Sequence, residues 1–281
     1  MLRPSPLAPL RSLHALPRSP LLPHPTLPSS RSFSSSFPSY AQNHRRLRMI
    51  LLGAPGAGKG TLSDWLLDKY DIESVVVGQL LRQEIVKGSE LGREAEAVMR
   101  AGGLLPDEMV LKVVEPALGA LKDKNWLLDG FPRKASQAVL LDDMLAKQGD
   151  DGALNFVAAL KVPDEVIVRR IADRFIHLPS GRTYNLKFNP PKVPGKDDIT
   201  GEPLSQRPDD DPATVQRRLS VFHAENDPLL AHYSTHAADG DGPRVRFIEG
   251  ETSKAIWPEL VGEVERKFPG LKKRTTPRVA S

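Results

Sequence analysis

The run Met49-Ile50-Leu51-Leu52, followed at once by Gly53-Ala-Pro-Gly-Ala-Gly-Lys-Gly-Thr61, constrains this chain more than any other segment. A short apolar run that breaks into four closely spaced glycines reads as a buried strand, a tight turn and a helix start. Glycine permits backbone conformations and close approaches that a Cβ forbids. The resulting ring of backbone N–H groups at a helix N-terminus faces an anion. Lys59 adds a point charge with the reach to meet nucleotide β- and γ-phosphates. Gly60 stands where such loops commonly carry Ser or Thr, and Thr61 follows.

Elsewhere apolar segments alternate with helical patterns. Strands are expected over Leu47–Leu52, Ser74–Val77, Trp126–Leu128, Asn155–Val162 and Val245–Ile248, with helices starting at Lys59, Asp107, Ala135, Asp164, Ala213 and Ser253. This alternation predicts an α/β fold, a mainly parallel sheet covered by helices with ligands at the carboxyl ends of the strands. Two segments break the rhythm. Residues 78–105 read as helices without a strand, and 176–211 form a Pro-, Gly- and Asp-rich stretch too long for a functionless loop.

The net charge of +4 is unevenly placed. Residues 1–48 hold seven arginines and no carboxylate, and without them the rest carries a net of −3. The body therefore offers no basic case for binding nucleic acid. The Arg-, Ser- and Pro-rich start resembles a mitochondrial transit peptide, with Arg31-Ser-Phe-Ser34 similar to a matrix processing site cut after Phe33. No run of 18 apolar residues is present, so no membrane span is expected. With no cysteine, disulfides and thiolate-bound metals are excluded.

Further motifs follow in order: Trp126-Leu-Leu-Asp-Gly-Phe-Pro-Arg133, His177-x-x-Ser-Gly-Arg-x-Tyr184, Phe188-Asn-Pro-Pro-Lys192, Asp197-Asp-Ile-Thr-Gly-Glu202 and Gln206-Arg-x-Asp-Asp210. Together with the glycine-rich loop they resemble the adenylate kinase family over about residues 47–268. The resemblance implies a P-loop nucleoside monophosphate kinase with a five-stranded, mainly parallel sheet. It divides the chain into a transit peptide (1–45), a kinase domain (46–270) and a tail (271–281). Within the domain, the core would be 46–76, 106–175 and 212–270, with a monophosphate-binding insert at 77–105 and a lid at 176–211.

The same resemblance assigns roles. Lys59, Arg133, Arg174, Arg207 and Arg218 would be catalytic, since phosphoryl transfer needs positioning and charge neutralisation more than covalent help. The donor nucleotide would meet Gly56, Ala57, Gly58, Lys59, Gly60, Thr61, Arg170, Arg174, Thr183, Tyr184 and Thr252. AMP would meet Val77, Arg82, Gly103, Leu104, Leu105, Gly130, Phe131, Pro132, Arg133, Gln137, Arg207 and Arg218. Spacing places Arg170 and Arg174 on one helical face at i, i+4. Asp129, at a strand end before Gly130, would hold Mg²⁺ through water. His177, Ser180, Asp197 and Thr200 occupy positions where some relatives carry zinc-binding cysteines. This set is a poor zinc site and a good hydrogen-bonding one, so a metal-free polar staple is expected.

Two positions depart from the family. Val77-Gly78-Gln79 replaces Ser/Thr-Gly-Asp, removing a hydroxyl toward the acceptor and a carboxylate near hydrated Mg²⁺. Tyr184-Asn185, Gly201-Glu-Pro203, Gln206-Arg207, Gly250-Glu-Thr-Ser253 and Trp257-Pro258, with the leader, resemble the mitochondrial-matrix branch that uses GTP as donor. A monomer acting on GTP and AMP is expected. The alternatives are ATP as donor and a nucleotide-binding protein with little turnover.

Overall fold

The computed structural model describes residues 46–149, 152–238 and 244–275. The leader, the processing site expected at Phe33 and the last residues of the tail lie outside them. Five strands form one sheet in the order β2-β3-β1-β4-β7, every pairing parallel. They are β1 (Arg48–Leu52), β2 (Glu73–Val76), β3 (Trp126–Asp129), β4 (Phe156–Lys161) and β7 (Arg244–Glu249). β5 (Arg174–Ile176) and β6 (Thr183–Asn185) make a separate antiparallel pair where the chain enters the 176–211 region.

The central strands are apolar almost throughout because both sheet faces are covered. Side chains alternate between two cores. Ile50, Leu52 and Leu128 join one with Val110, Val114 and Leu118 of α4 (Asp107–Gly119), Leu141 of α5 (Ala135–Ala146) and Tyr233 of α7 (Pro212–Ala238). Met49, Leu51 and Leu127 join the other with Leu62 and Leu66 of α1 (Lys59–Lys69) and Ile256, Leu260 and Val264 of α8 (Ser253–Lys267). Each fully buried Leu or Ile contributes about 1.5–3 kcal/mol.

The strand-free stretch consists of α2 (Val77–Lys87) and α3 (Glu90–Arg100), packed on each other. They cross closely at Gly92, where a Cβ would lie 2.1 Å from the Glu84 carbonyl oxygen. α3 is capped by Ser89, whose Oγ accepts from Gly92 N at 3.0 Å.

Several boundaries differ from the sequence reading. Val77 opens α2 instead of closing β2, because β2 pairs with β3 only as far as Val76 opposite Asp129, where β3 itself ends. α6 (Asp164–Ala172) stops before Arg174, which opens β5, so Arg170 and Arg174 do not share a helical face. β5 must begin there to pair Arg174 with Asn185. Arg46 and Arg48, at the expected start of the kinase domain, are fastened to it. Arg48 is 1% exposed in β1 and donates to the backbone carbonyls of Leu121, Lys122 and Lys124, while Arg46 pairs with Asp123. The first tail residues are tied to the core. Lys273 pairs with Tyr70, and Arg274 Nε donates at 2.8 Å to the Leu67 carbonyl at the end of α1.

Candidate active site

The site begins where β1 ends. Gly56 (φ 82°) and Gly58 (φ 95°) hold left-handed backbone that disfavours any side chain, and Gly58 is the N-cap residue of α1. A Cβ at Gly56 would also lie 2.8 Å from Ile171 Cγ1. Lys59 folds back over the loop, donating to the carbonyls of Gly53 at 2.7 Å and Ala54 at 3.0 Å. Burial lowers its pKa to about 8, opposed by Asp129 and reinforced by Arg133, Arg218 and Arg174. Ala57 is buried under the loop, Thr61 is half-buried in the first turn of α1, and Gly60 is exposed with open space beside it.

Asp129 ends β3, is 6% exposed and has its pKa raised by burial, with Lys59 and Arg133 pulling it back down. After it the chain turns at Gly130, passes buried Phe131 and Pro132, joined by a cis bond, and reaches Arg133. Arg133 is open to the cleft yet deep in the molecule. That envelopment, with Arg218 and Arg82, brings its pKa down to about 10 despite Asp129. Its Nε donates to the Gly130 carbonyl at 2.9 Å.

Three more arginines converge from other elements. Arg82 comes from α2, Arg207 from just ahead of a 3-10 turn (Pro208–Asp210), and Arg218 from α7. Burial lowers the pKa of each, Arg207 furthest, and Arg174 lowers all three further. Arg207 donates to Thr183 Oγ1 at 3.2 Å, while its buried Nε has no partner. A buried cationic N–H without an acceptor is costly unless a ligand supplies one. Arg174 makes a two-pronged ion pair with Asp210, and Arg218 pairs with Asp209 at 2.7 Å. Burial pushes Asp209 up, but Arg218 and then Arg207 outweigh it and hold it below the ordinary carboxylate value.

These two aspartates, although inside a motif used for the resemblance, were not among the expected site residues. The sign of the signal was legible: adjacent carboxylates following an arginine on a segment meant to meet phosphate. Asp107 was missed as well. It binds Lys134, Ser136 and Gln137 and so joins the start of α4 to the start of α5.

Gln137 is buried with both polar atoms engaged, Oε1 accepting from Arg133 N at 2.8 Å and Nε2 donating to Asp107 at 3.1 Å. Arg170 is fastened to the glycine loop, donating to Gly56 O at 3.3 Å and to the Glu251 carbonyl, with Phe188 at 5.4 Å from its guanidinium. Thr252 caps α8 by accepting from Ala255 N at 3.1 Å. Tyr184 turns into its own segment, where its hydroxyl donates to Asp197 at 2.9 Å. Val77 and Leu105 are buried and Gly103 half-buried. Leu104, Lys59, Gly130, Arg133 and Arg218 line one cavity. A larger cavity of about 380 Å³ beside Lys161, Asn226 and Phe247 carries none of the arginines.

The 176–211 segment is held by one polar network. His177 Nδ1 meets Ser180 Oγ at 2.7 Å, and its Nε2 meets Glu202 at 2.5 Å. Asp197, 3% exposed, accepts from both forks of Arg182, from Tyr184 and from Thr200 Oγ1 at 3.0 Å. Hydrogen bonds, first that from Arg182, hold its carboxyl far below the ordinary range despite its burial.

A glycine-rich loop with its lysine, a buried carboxylate at the next strand end and arginines closing from several elements define a P-loop phosphotransferase. The Adenylate kinase family model matches residues 51–238, and the chain belongs to the adenylate kinase family. It is 45% identical over 227 residues to "GTP:AMP phosphotransferase, mitochondrial" of Saccharomyces cerevisiae, covering 79% of this chain and 94% of that one. A second protein of that name, from S. cerevisiae strain ATCC 204508 / S288c, is 46% identical over 216 residues, covering 75% and 92%.

Proposed function

We propose that this nucleoside monophosphate kinase transfers the terminal phosphoryl group of GTP to AMP, with Mg²⁺ accompanying the donor, as a monomer in the mitochondrial matrix. The observation that carries the transfer is the convergence of Lys59, Arg82, Arg133, Arg174, Arg207 and Arg218 on one cleft around Asp129. So many desolvated cations repel one another unless anions fill the space between them. Two phosphate chains supply that charge.

In this reading the loop N–H groups and Lys59 hold the donor β- and γ-phosphates. Arg82 and Arg133 hold the acceptor phosphate, and Gln137 acts through the Arg133 backbone. Arg174, Arg207 and Arg218 close over the transferring group, where positioned cations stabilise developing charge. Asp209 and Asp210 hold Arg174 and Arg218 in place until phosphate competes for them. The insert spans 77–105, and 176–211 acts as a lid excluding water.

Asp129 fits a hydrated Mg²⁺, which keeps several waters and needs only one or two carboxylates beside substrate phosphates. Among the described residues no group of three or more His, Cys, Asp or Glu forms a cage. Bound there, Mg²⁺ would neutralise charge on the phosphate oxygens. The names of the two yeast relatives support GTP and the mitochondrion.

A coupled assay at fixed AMP should show a higher kcat/KM with GTP than with ATP, and light scattering should give the mass of one chain. Equal or better use of ATP would remove the donor assignment. No turnover with either donor would leave a nucleotide-binding protein.

A further inference from the structure

Gln79 lies in the first turn of α2, where the family resemblance leads to a carboxylate. Its amide meets the 176–211 segment. Nε2 donates at 3.0 Å to the carbonyl of Ser180, in the turn between β5 and β6. Gly181, the next residue, has φ +73°, and a Cβ there would lie 2.7 Å from Gln79 Cδ, 2.8 Å from Nε2 and 3.0 Å from Oε1. The amide therefore lies flat on a turn that only glycine leaves open. That turn is not loose, because Ser180 Oγ is bound to His177 Nδ1 at 2.7 Å and accepts from Arg182 N at 3.3 Å. Ser180 is thus joined to His177 and Arg182, and Arg182 in turn binds Asp197.

We infer that Gln79 is a positioning residue that latches the lid onto the insert. Closure brings together Arg82 of the insert, Arg207 ahead of the 3-10 turn and Arg218 of α7, which resist one another electrostatically. An uncharged hook closes the two segments without diluting the positive field that receives the phosphates. A carboxylate at this position would lack the donated proton and would face the Ser180 carbonyl with like polarity. The latch rests on the kinase reading for its effect on turnover, whereas the contact itself does not.

Because the chain has no cysteine, Val86→Cys and Val193→Cys provide clean labelling sites, at side chains 82% and 53% exposed on the insert and the lid. Energy transfer between dyes there, on the full chain without nucleotide, reads the closed-to-open ratio. Gln79→Ala, and Gln79→Glu, which keeps the shape and loses the donor, should each lower that ratio about two- to tenfold, the range for one net hydrogen bond. In turnover, KM for AMP and for the donor should rise together by a similar factor while kcat does not fall. An unchanged ratio in Gln79→Glu overturns the latch whether or not the protein proves to be a kinase. So does a higher kcat for Gln79→Glu at limiting Mg²⁺, which would return position 79 to the outer shell of the metal.

Discussion

Lys59 shows how far one side chain's chemistry depends on its surroundings. In a solvated helix it would titrate near 10.5; buried behind the loop it titrates near 8. Its folded pKa is the lower one, so between about pH 8 and 10.5 the unfolded chain binds more protons, and this residue adds stability as pH rises through that window. Activity should move the other way. As Lys59 loses its charge, kcat/KM, which reports the free enzyme, should fall above about pH 8. Lys59→Met should keep the fold and lower kcat by about 10²–10³, and a variant with more than half of wild-type kcat would remove Lys59 from the mechanism. Lys59 and Arg133 were legible because a local spacing fixes their place. Gln79 was not: the resemblance marks it only as a missing carboxylate near hydrated Mg²⁺, and the contact with Ser180 shows an occupied amide.

At the scale of elements, the 176–211 segment is tied together through Asp197. That carboxylate takes hydrogen bonds from Arg182, Tyr184, Thr200 and the Ile199 N–H while almost fully buried. Asp197→Ala strands these donors and should lower local stability by about 3 kcal/mol. Hydrogen exchange at Ile199 and Thr200 should speed up accordingly while the central strands remain protected, and unchanged exchange would show that the network is not what holds this segment. The pKa of Asp197 is depressed in the fold, so its contribution is complete above the ordinary carboxylate range and is lost as pH falls below it. The pairing of His177, Ser180, Asp197 and Thr200 was readable from residue types. Arg182 and Glu202, which complete the network, were not, since a charged side chain in a loop gives no sign of its partner.

At the scale of the whole molecule, charge and address separate. Arg46 and Arg48 are held by the body, leaving the arginines at 3, 11, 18, 31 and 45 with the acid-free leader. Such a segment is drawn by a negative-inside potential at about 2.3 kcal/mol per charge per 100 mV. Residues 1–45 fused to a reporter should carry it into mitochondria and be shortened near Phe33. A diffuse cytosolic signal with an intact N-terminus would refute import.

The amino-acid sequence by itself determined what is local or periodic: the loop that must be glycine, the lysine behind it, the apolar strands, and a parallel sheet wrapped by helices. These follow from steric rules and from spacing along the chain, which no distant contact is needed to read. The tertiary structure decided which way each arginine points. Arg174 left the helix of Arg170 because β5 pairs with β6, and Arg207 reaches Thr183 through one nitrogen while its buried Nε has no partner among the described residues. It also decided that Gln79 meets the Ser180 carbonyl and that Arg48 is buried against backbone carbonyls. Charged and amide side chains are long and rotatable, so their partners are fixed only when packing brings distant segments together.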